Sequence, residues 1–290
     1  MRNHHTRRAR RLLVALPLSL IVSCGVASGG AASGGAVIAP EPSVLASAEP
    51  RAEPPSQIDP EAVLRAAAGA EPDTVLGAVV VDRAADTQPL SVAGDRQFRS
   101  ASLVKLLIAI DAVERGVDDQ DRERLAIMLT HSDDAMASAF WVTGGGPDIV
   151  SRTSDTIGLT GTDPPEDPGQ WGEVLLTPAD VARVYDHVLR LPDADRDLIV
   201  NALADTPRVA ADGFDQHFGI PDGLASPWAV KQGWGANETA AVLHSTGLAG
   251  PDWRYVVVVL TEHPLDADWS ASARSVTAAA ATLHGQLPGI

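Results

Sequence analysis

Segments that read as β-strand lie only near the two ends of this chain, and the stretch between them reads as helix. Residues 74–82 are Val-rich, and residues 88–98 form a second strand candidate across a polar turn around Asp86. Residues 228–234, 239–245 and 253–261 have the same character near the other end. Consecutive strands joined by short turns pair antiparallel. Strands from both ends must therefore build one five-stranded antiparallel sheet, with the all-helical middle as a lobe beside it and helices flanking the sheet. The expected fold class is α/β in the α+β sense.

The helices are marked by their ends. Asp59 caps a helix over 60–68 that begins with Pro60. Residues 102–115 place Leu103, Leu106, Leu107, Ile110 and Val113 on one face and stop at Gly116. Helices over 122–130 and 135–142 are separated by Ser132-Asp133-Asp134. Gly144-Gly145-Gly146-Pro147 ends that run, and no Gly-Lys-Ser/Thr follows to make it a phosphate loop. Thr177-Pro178 starts a helix to about 191, residues 194–204 form another, and an Ala-rich helix over 270–287 closes the chain.

The first residues carry an address. Arg2, Arg7, Arg8, Arg10 and Arg11 precede an apolar stretch over 12–22 that is too short to span a bilayer. Ile21-Val22-Ser23-Cys24 follows, in the order of a bacterial lipobox, and Cys24 is the only cysteine, so no intramolecular disulfide can form. Residues 1–23 are read as a signal peptide, with Sec and twin-arginine export both open, and Cys24 as the lipidation site. Residues 24–57 read as a disordered tether rich in Gly, Ala, Ser and Pro, and residues 58–290 as the folded domain. The expected location is outside the cytoplasmic membrane, anchored by lipid. Cleavage before Cys24 removes five arginines and no acid, taking the formal charge from −16 to −21. So acidic a chain repels nucleic acid and anionic headgroups, so the membrane is held by acyl chains alone. A monomer is expected.

The chain has two lysines, Lys105 and Lys231, among 22 basic residues. An ammonium can give up its proton when desolvated, whereas a guanidinium cannot. Lys105 lies one helical turn after Ser102, so the two side chains share a face. Ser102 as nucleophile, its amide as an oxyanion donor at a helix start, and Lys105 as proton acceptor form a possible acyl-transfer site. An ordinary N-cap serine followed by a solvated lysine is the plainer alternative. Ser132, in a break between helices, could pass a proton, and Ser132 or Asp133 could cap the helix that follows; the two readings can hold together. Lys231 is an anchor for a substrate carboxylate or merely an edge-strand charge. Gly233 would let a ligand approach the strand, and the Trp234 amide would be a second oxyanion donor. Trp171 and Trp234 could floor a groove, and His131 could face the same cleft. The histidines show no metal-ligand spacing, and no cofactor is expected.

Ser102-Leu103-Val104-Lys105, then Ser132-Asp133-Asp134, then Lys231-Gln232-Gly233 come in the motif order of serine acyl-transfer enzymes that react with penicillins. From about residue 58 onward the chain resembles the class A β-lactamase and penicillin-binding superfamily, including the surroundings Phe98-Arg99-Ser100-Ala101 and Leu176-Thr177-Pro178. The resemblance implies a five-stranded antiparallel sheet beside a helical lobe. It also implies Ser102 as nucleophile, Lys105 as base, Ser132 as proton shuttle and Lys231 as carboxylate anchor. A β-lactam or a D-alanyl stem peptide would be the substrate.

The departures from that pattern are specific. Asp134 stands where the family has Asn, and a carboxylate there opposes a neutral Lys105. Gln232 replaces a hydroxyl residue expected to bind the substrate carboxylate, and Asp134, Lys231, Gln232, Gly233 and Trp234 are together the expected substrate contacts. Ser102 and Ser132 are 30 positions apart, about half the usual separation. The Glu-x-x-Leu-Asn segment that carries the deacylation base is absent, which leaves Glu166, Glu173 or neither. Two functions remain open from the sequence. One is a serine hydrolase with poor deacylation, and the other is a catalytically silent relative that binds cell-wall peptide or a protein.

Overall fold

The computed structural model describes residues 57–290. The signal peptide, Cys24 and all but the last residue of the tether lie outside the described residues. Helix α1 (Pro60–Ala70) starts at Asp59, whose carboxylate accepts the Glu61 N–H, and it buries Val63 and Ala67. Strands β1 (Val75–Asp82) and β2 (Thr87–Val92) form the N-terminal hairpin. Strands β5 (Trp228–Ala236), β6 (Ala241–Ala249) and β7 (Tyr255–His263) follow near the other end. All neighbours are antiparallel in the order β2-β1-β7-β6-β5. The register of β1 on β7 runs from Val75 opposite Glu262 to Asp82 opposite Tyr255, and this pairing joins the two chain ends.

Two faces of this sheet are covered. Along β7, Val256, Val258 and Leu260 face the helical lobe, whereas Val257 and Val259 pack toward α1 and α9 (Trp269–Ala281). That alternation is the period of two expected of a strand buried on both sides. The lobe holds α2 (Val104–Arg115), α3 (Asp119–Thr130), α4 (Asp134–Gly144), α5 (Asp148–Ile157), α6 (Pro178–Arg190) and α7 (Asp193–Ala204). The short α8 (Ile220–Gly223) leads into β5.

Four expectations are corrected. The second strand does not run over 88–98: Ala93 takes φ 44°, Arg96 N–H donates to its carbonyl, and the chain turns. Phe98 and Arg99 instead form a separate strand, β3 (Phe98–Arg99), paired with β4 (Leu175–Leu176). Helix α5 was not expected, although Pro147 before it and Gly158 after it, at φ 79°, are the usual helix punctuation. Strands β6 and β7 start two residues later than expected and end later. The Asn237 carboxamide accepts the Thr239 and Ala240 N–H groups, which delays β6, and Gly250, at φ 80°, reverses the chain before β7. The last helix ends at Ala281, short of residue 287.

Candidate active site

Ser102 lies in a 3-10 turn, Ala101–Leu103, between β3 and α2. The turn is held from both sides, with Ser100 N–H donating to Val174 O at 2.7 Å and Leu103 N–H to Ser100 O at 3.0 Å. Ala101 before the serine has φ 43°, and Ser132 itself has φ 54°. For residues with a side chain such geometry costs about 1–3 kcal/mol, and it persists where the surroundings impose it. Ser132 is in the break between α3 and α4, where Asp133 caps α4 by accepting the Met136 N–H at 2.8 Å. Asp133, not Ser132, is the cap, and the Ser132 hydroxyl faces the two lysines instead.

Lys105 is 0% exposed, and its Nζ is within reach of four oxygens. It donates to Ser102 Oγ at 2.9 Å, Ser132 O at 2.7 Å, Ser132 Oγ at 3.2 Å and Asp134 Oδ1 at 2.6 Å. Lys231 is also buried and reaches the same hydroxyl from β5, with Nζ donating to Ser132 Oγ at 2.9 Å and to Gln232 O at 2.8 Å. The serine pair and both lysines therefore form one hydrogen-bonded chain, Ser102–Lys105–Ser132–Lys231. Burial lowers the Lys105 pKa from its ordinary value, while the hydrogen bond and charge of Asp134 oppose that shift. Burial and then the charge of Lys105 push the Lys231 pKa well below its ordinary value. A lysine that loses its proton here can accept one from Ser102, and Ser132 can relay it.

A cleft of about 280 Å³ opens over Ser102, lined by Arg99, Asp134, Trp171, Gly172, Asp212 and Trp234 among others. It is smaller than the apolar groove of about 690 Å³ near α9, but it is the one lined by Ser102, with Lys105 buried behind it. Trp171 sits with its ring 5.1 Å from Lys105 Nζ and donates Nε1–H to Ser138 Oγ. Arg99 donates to Glu173 at 2.8 Å and to the Gly235 and Ala240 carbonyls, so its guanidinium is engaged. Trp234 donates Nε1–H to Asp212 Oδ2 at 2.9 Å and stacks on Phe214 at 4.9 Å.

Several expected positions differ in detail. The Gln232 side chain does not reach the cleft. It lies on the opposite strand face from Lys231, where Nε2 donates to Gln216 O at 3.0 Å and Phe218 O at 2.6 Å. Gly233 gives room not to a ligand but to the serine turn: a Cβ there would lie 3.0 Å from Ser100 O and 3.3 Å from Leu103. Its backbone closeness lets β5 pack directly against the Ser102 turn. His131 is exposed and does not line the cleft. Neither Glu166 nor Glu173 lines it: Glu166 is exposed on its loop, and Glu173 is held by Arg99 and by the Asn237 Nδ2–H at 3.1 Å. Sequence reasoning gave Arg99 and Asp212 no role, because only tertiary folding brings them beside Ser102.

His244 on β6 braces the Ser102 turn from behind. Thr261 N–H donates to Nδ1 at 3.2 Å, so Nε2 carries the hydrogen and donates to Arg99 O at 2.7 Å. Burial pushes this imidazole down to a pKa of about 4. The unfolded chain takes up a proton near pH 6.5 and the folded one only near 4, so stability is greatest above 6.5 and falls as pH drops through that window. This single group contributes about 3 kcal/mol over the window. Denaturation measured from pH 4 to 7 should show His244→Gln taking up about one proton fewer on unfolding. An unchanged pH slope would contradict a neutral buried His244.

No protein-family profile matches the chain. Over 221 residues it is 37% identical to a Mycobacterium tuberculosis protein that carries the name "Putative lipoprotein LppW", covering 72% of this chain and 69% of that one. The chain belongs to the family of LppW. The same match is found to LppW of Mycobacterium bovis. Solved structures extend the likeness in fold alone. A β-lactamase from Sphaerobacter thermophilus superposes with a TM-score of 0.60 at 21% identity, over 80% of this chain and 100% of that one. A penicillin-binding protein, PBP-A, in an acyl-enzyme complex with penicillin G superposes with a TM-score of 0.61 at 18% identity, over 80% and 97%. The LppW-type chain thus has the fold of class A β-lactamases and of PBP-A, with the antiparallel sheet and helical lobe expected from its sequence.

Proposed function

We propose that this protein is an exported, lipid-anchored serine acyl-transfer protein that forms an acyl-enzyme on Ser102 and releases it poorly. The observation that carries this reading is Lys105 Nζ, fully buried and 2.9 Å from Ser102 Oγ. Ser102 Oγ attacks a β-lactam or D-alanyl carbonyl while Lys105 takes its proton. The oxyanion meets the Ser102 amide and an amide of the edge strand β5, the Trp234 N–H being the candidate. Ser132, hydrogen-bonded to both lysines, returns the proton to the leaving nitrogen. Intact mass after prolonged incubation of the full chain with penicillin G should show one added acyl group, absent in Ser102→Ala. Mass unchanged in both would remove the covalent reading. One observation favours the silent alternative: the Asp134 carboxylate, 2.6 Å from Lys105, holds the proton that the reaction must displace.

Attachment to the membrane rests on Cys24 and on the lipoprotein name of the relative. Cells expressing wild type or Cys24→Ala are separated by detergent phase partition. Wild type should enter the detergent phase and the variant the aqueous phase. Equal partition of both into water would rule out the anchor.

A further inference from the structure

We propose that the leaving-group side of the Ser102 cleft accepts an ammonium-bearing ester or amide in preference to a carboxylate-bearing one. The inference rests on the acyl-transfer reading above and narrows its substrate. The leaving-group side is the side of Ser132 and Lys231, because Ser132 is the hydroxyl placed to protonate the departing atom.

Every cation near that side is already engaged. Lys231 is 1% exposed and donates to Ser132 Oγ and Gln232 O. The Gln232 amide, which would be the next polar group, faces away and is bonded to two main-chain carbonyls. Arg99 is paired with Glu173 and two carbonyls. What the cleft presents to solvent is acidic. Asp134 is 66% exposed while its Oδ1 touches Lys105. Asp212 is exposed, accepts only the Trp234 Nε1–H and the Phe214 N–H, and has no ion-pair partner among the described residues. The Trp234 contact fixes Asp212 on the rim of the same cleft that exposes Ser102. An arriving carboxylate meets the unpaired carboxylate of Asp212, with Asp134 already paired to Lys105, and no free cation, whereas an arriving ammonium completes an ion pair with Asp212. Like charges across a contact suppress the wrong partner, and opposite charges raise the encounter rate. Penicillins and D-alanyl peptides carry a carboxylate on the departing side, so they acylate Ser102 slowly rather than as its best substrates.

The test uses three thioesters of phenylacetic acid with thiocholine, with its uncharged isostere 3,3-dimethylbutanethiol, and with mercaptoacetate. In each, Ser102 Oγ bonds to the carbonyl carbon, its proton passes to Lys105, the C–S bond breaks, and the thiolate leaves, taking a proton by way of Ser132. Thiol release and intact mass are followed for the full chain at low salt. The thiocholine ester should acylate fastest and the mercaptoacetate ester slowest, differing by about tenfold or more. The cationic-over-neutral ratio should fall toward one in Asp212→Asn and in high salt. Equal or faster acylation by the mercaptoacetate ester, or a ratio unmoved in Asp212→Asn, overturns the charge inference while leaving Ser102 acylation standing. Acylation by none of the three, or acylation that persists in Ser102→Ala, overturns both.

Discussion

Lys105→Arg should suppress acylation of Ser102 by about 10²–10⁴-fold, nearly as far as Lys105→Ala. The reason is protonation rather than charge. Arginine keeps a donor near Ser102 Oγ, Ser132 and Asp134, but a guanidinium does not surrender its proton at any working pH. The lysine can, because burial disfavours its ammonium and outweighs the opposing pull of Asp134. The same argument fixes the sign of a second effect. Asp134→Asn removes the group that holds the proton on Lys105, so the neutral amine persists to lower pH and the acid limb of the acylation profile moves down. Pre-steady-state acylation rates against pH for wild type, Lys105→Arg, Lys105→Ala and Asp134→Asn check both statements. An arginine variant that acylates at the wild-type rate would mean that the proton leaves by another route.

The sheet was readable because valine runs and turn residues mark strands locally, and because only antiparallel pairing across the chain ends could bury those runs. The register of β1 on β7 realises that constraint. The Ser102–Lys105 pair was readable because its spacing fixes a shared helix face. Lys231 was readable because Lys105 is the only other lysine of the chain. The break between β2 and β3 was not legible, since it hangs on Ala93 in a positive-φ conformation that glycine, one position later, would have advertised. Gln232 is a different case. Its neighbour Lys231 faces the site, so strand alternation turns Gln232 to the other face, against the expectation that it contacts substrate. Asp212 acquires meaning only in space, through the Trp234 Nε1–H, whereas Trp171, a candidate groove floor from the sequence, has its ring 5.1 Å from Lys105 Nζ.

Once formed, the acyl-enzyme should persist for far longer than it takes to form, and steady-state hydrolysis of β-lactams or thioesters should be close to nil. Acylation needs a nucleophile, a proton acceptor and an oxyanion site, and the cleft has candidates for all three. Deacylation needs in addition a base that activates water beside the acyl carbonyl. The two acids of the 163–173 segment that stood as candidates are elsewhere: Glu166 is exposed, and Glu173 is bound to Arg99 and Asn237. The space above Lys105 is filled by the Trp171 indole, 5.1 Å from Nζ, which can neither accept a proton nor hold a water in hydrogen bonds on its ring carbons. A missing general base slows its step by about 10²–10⁴-fold. Mass spectra taken during washout of free ester should therefore show the adduct on Ser102 decaying slowly. Trp171→Glu, which puts a carboxylate above Lys105, should shorten that decay without being needed for adduct formation. Fast wild-type turnover that disappears in Glu173→Gln or Glu166→Gln would identify a base that moves into the cleft when substrate binds, and would overturn this account of why the acyl group stays.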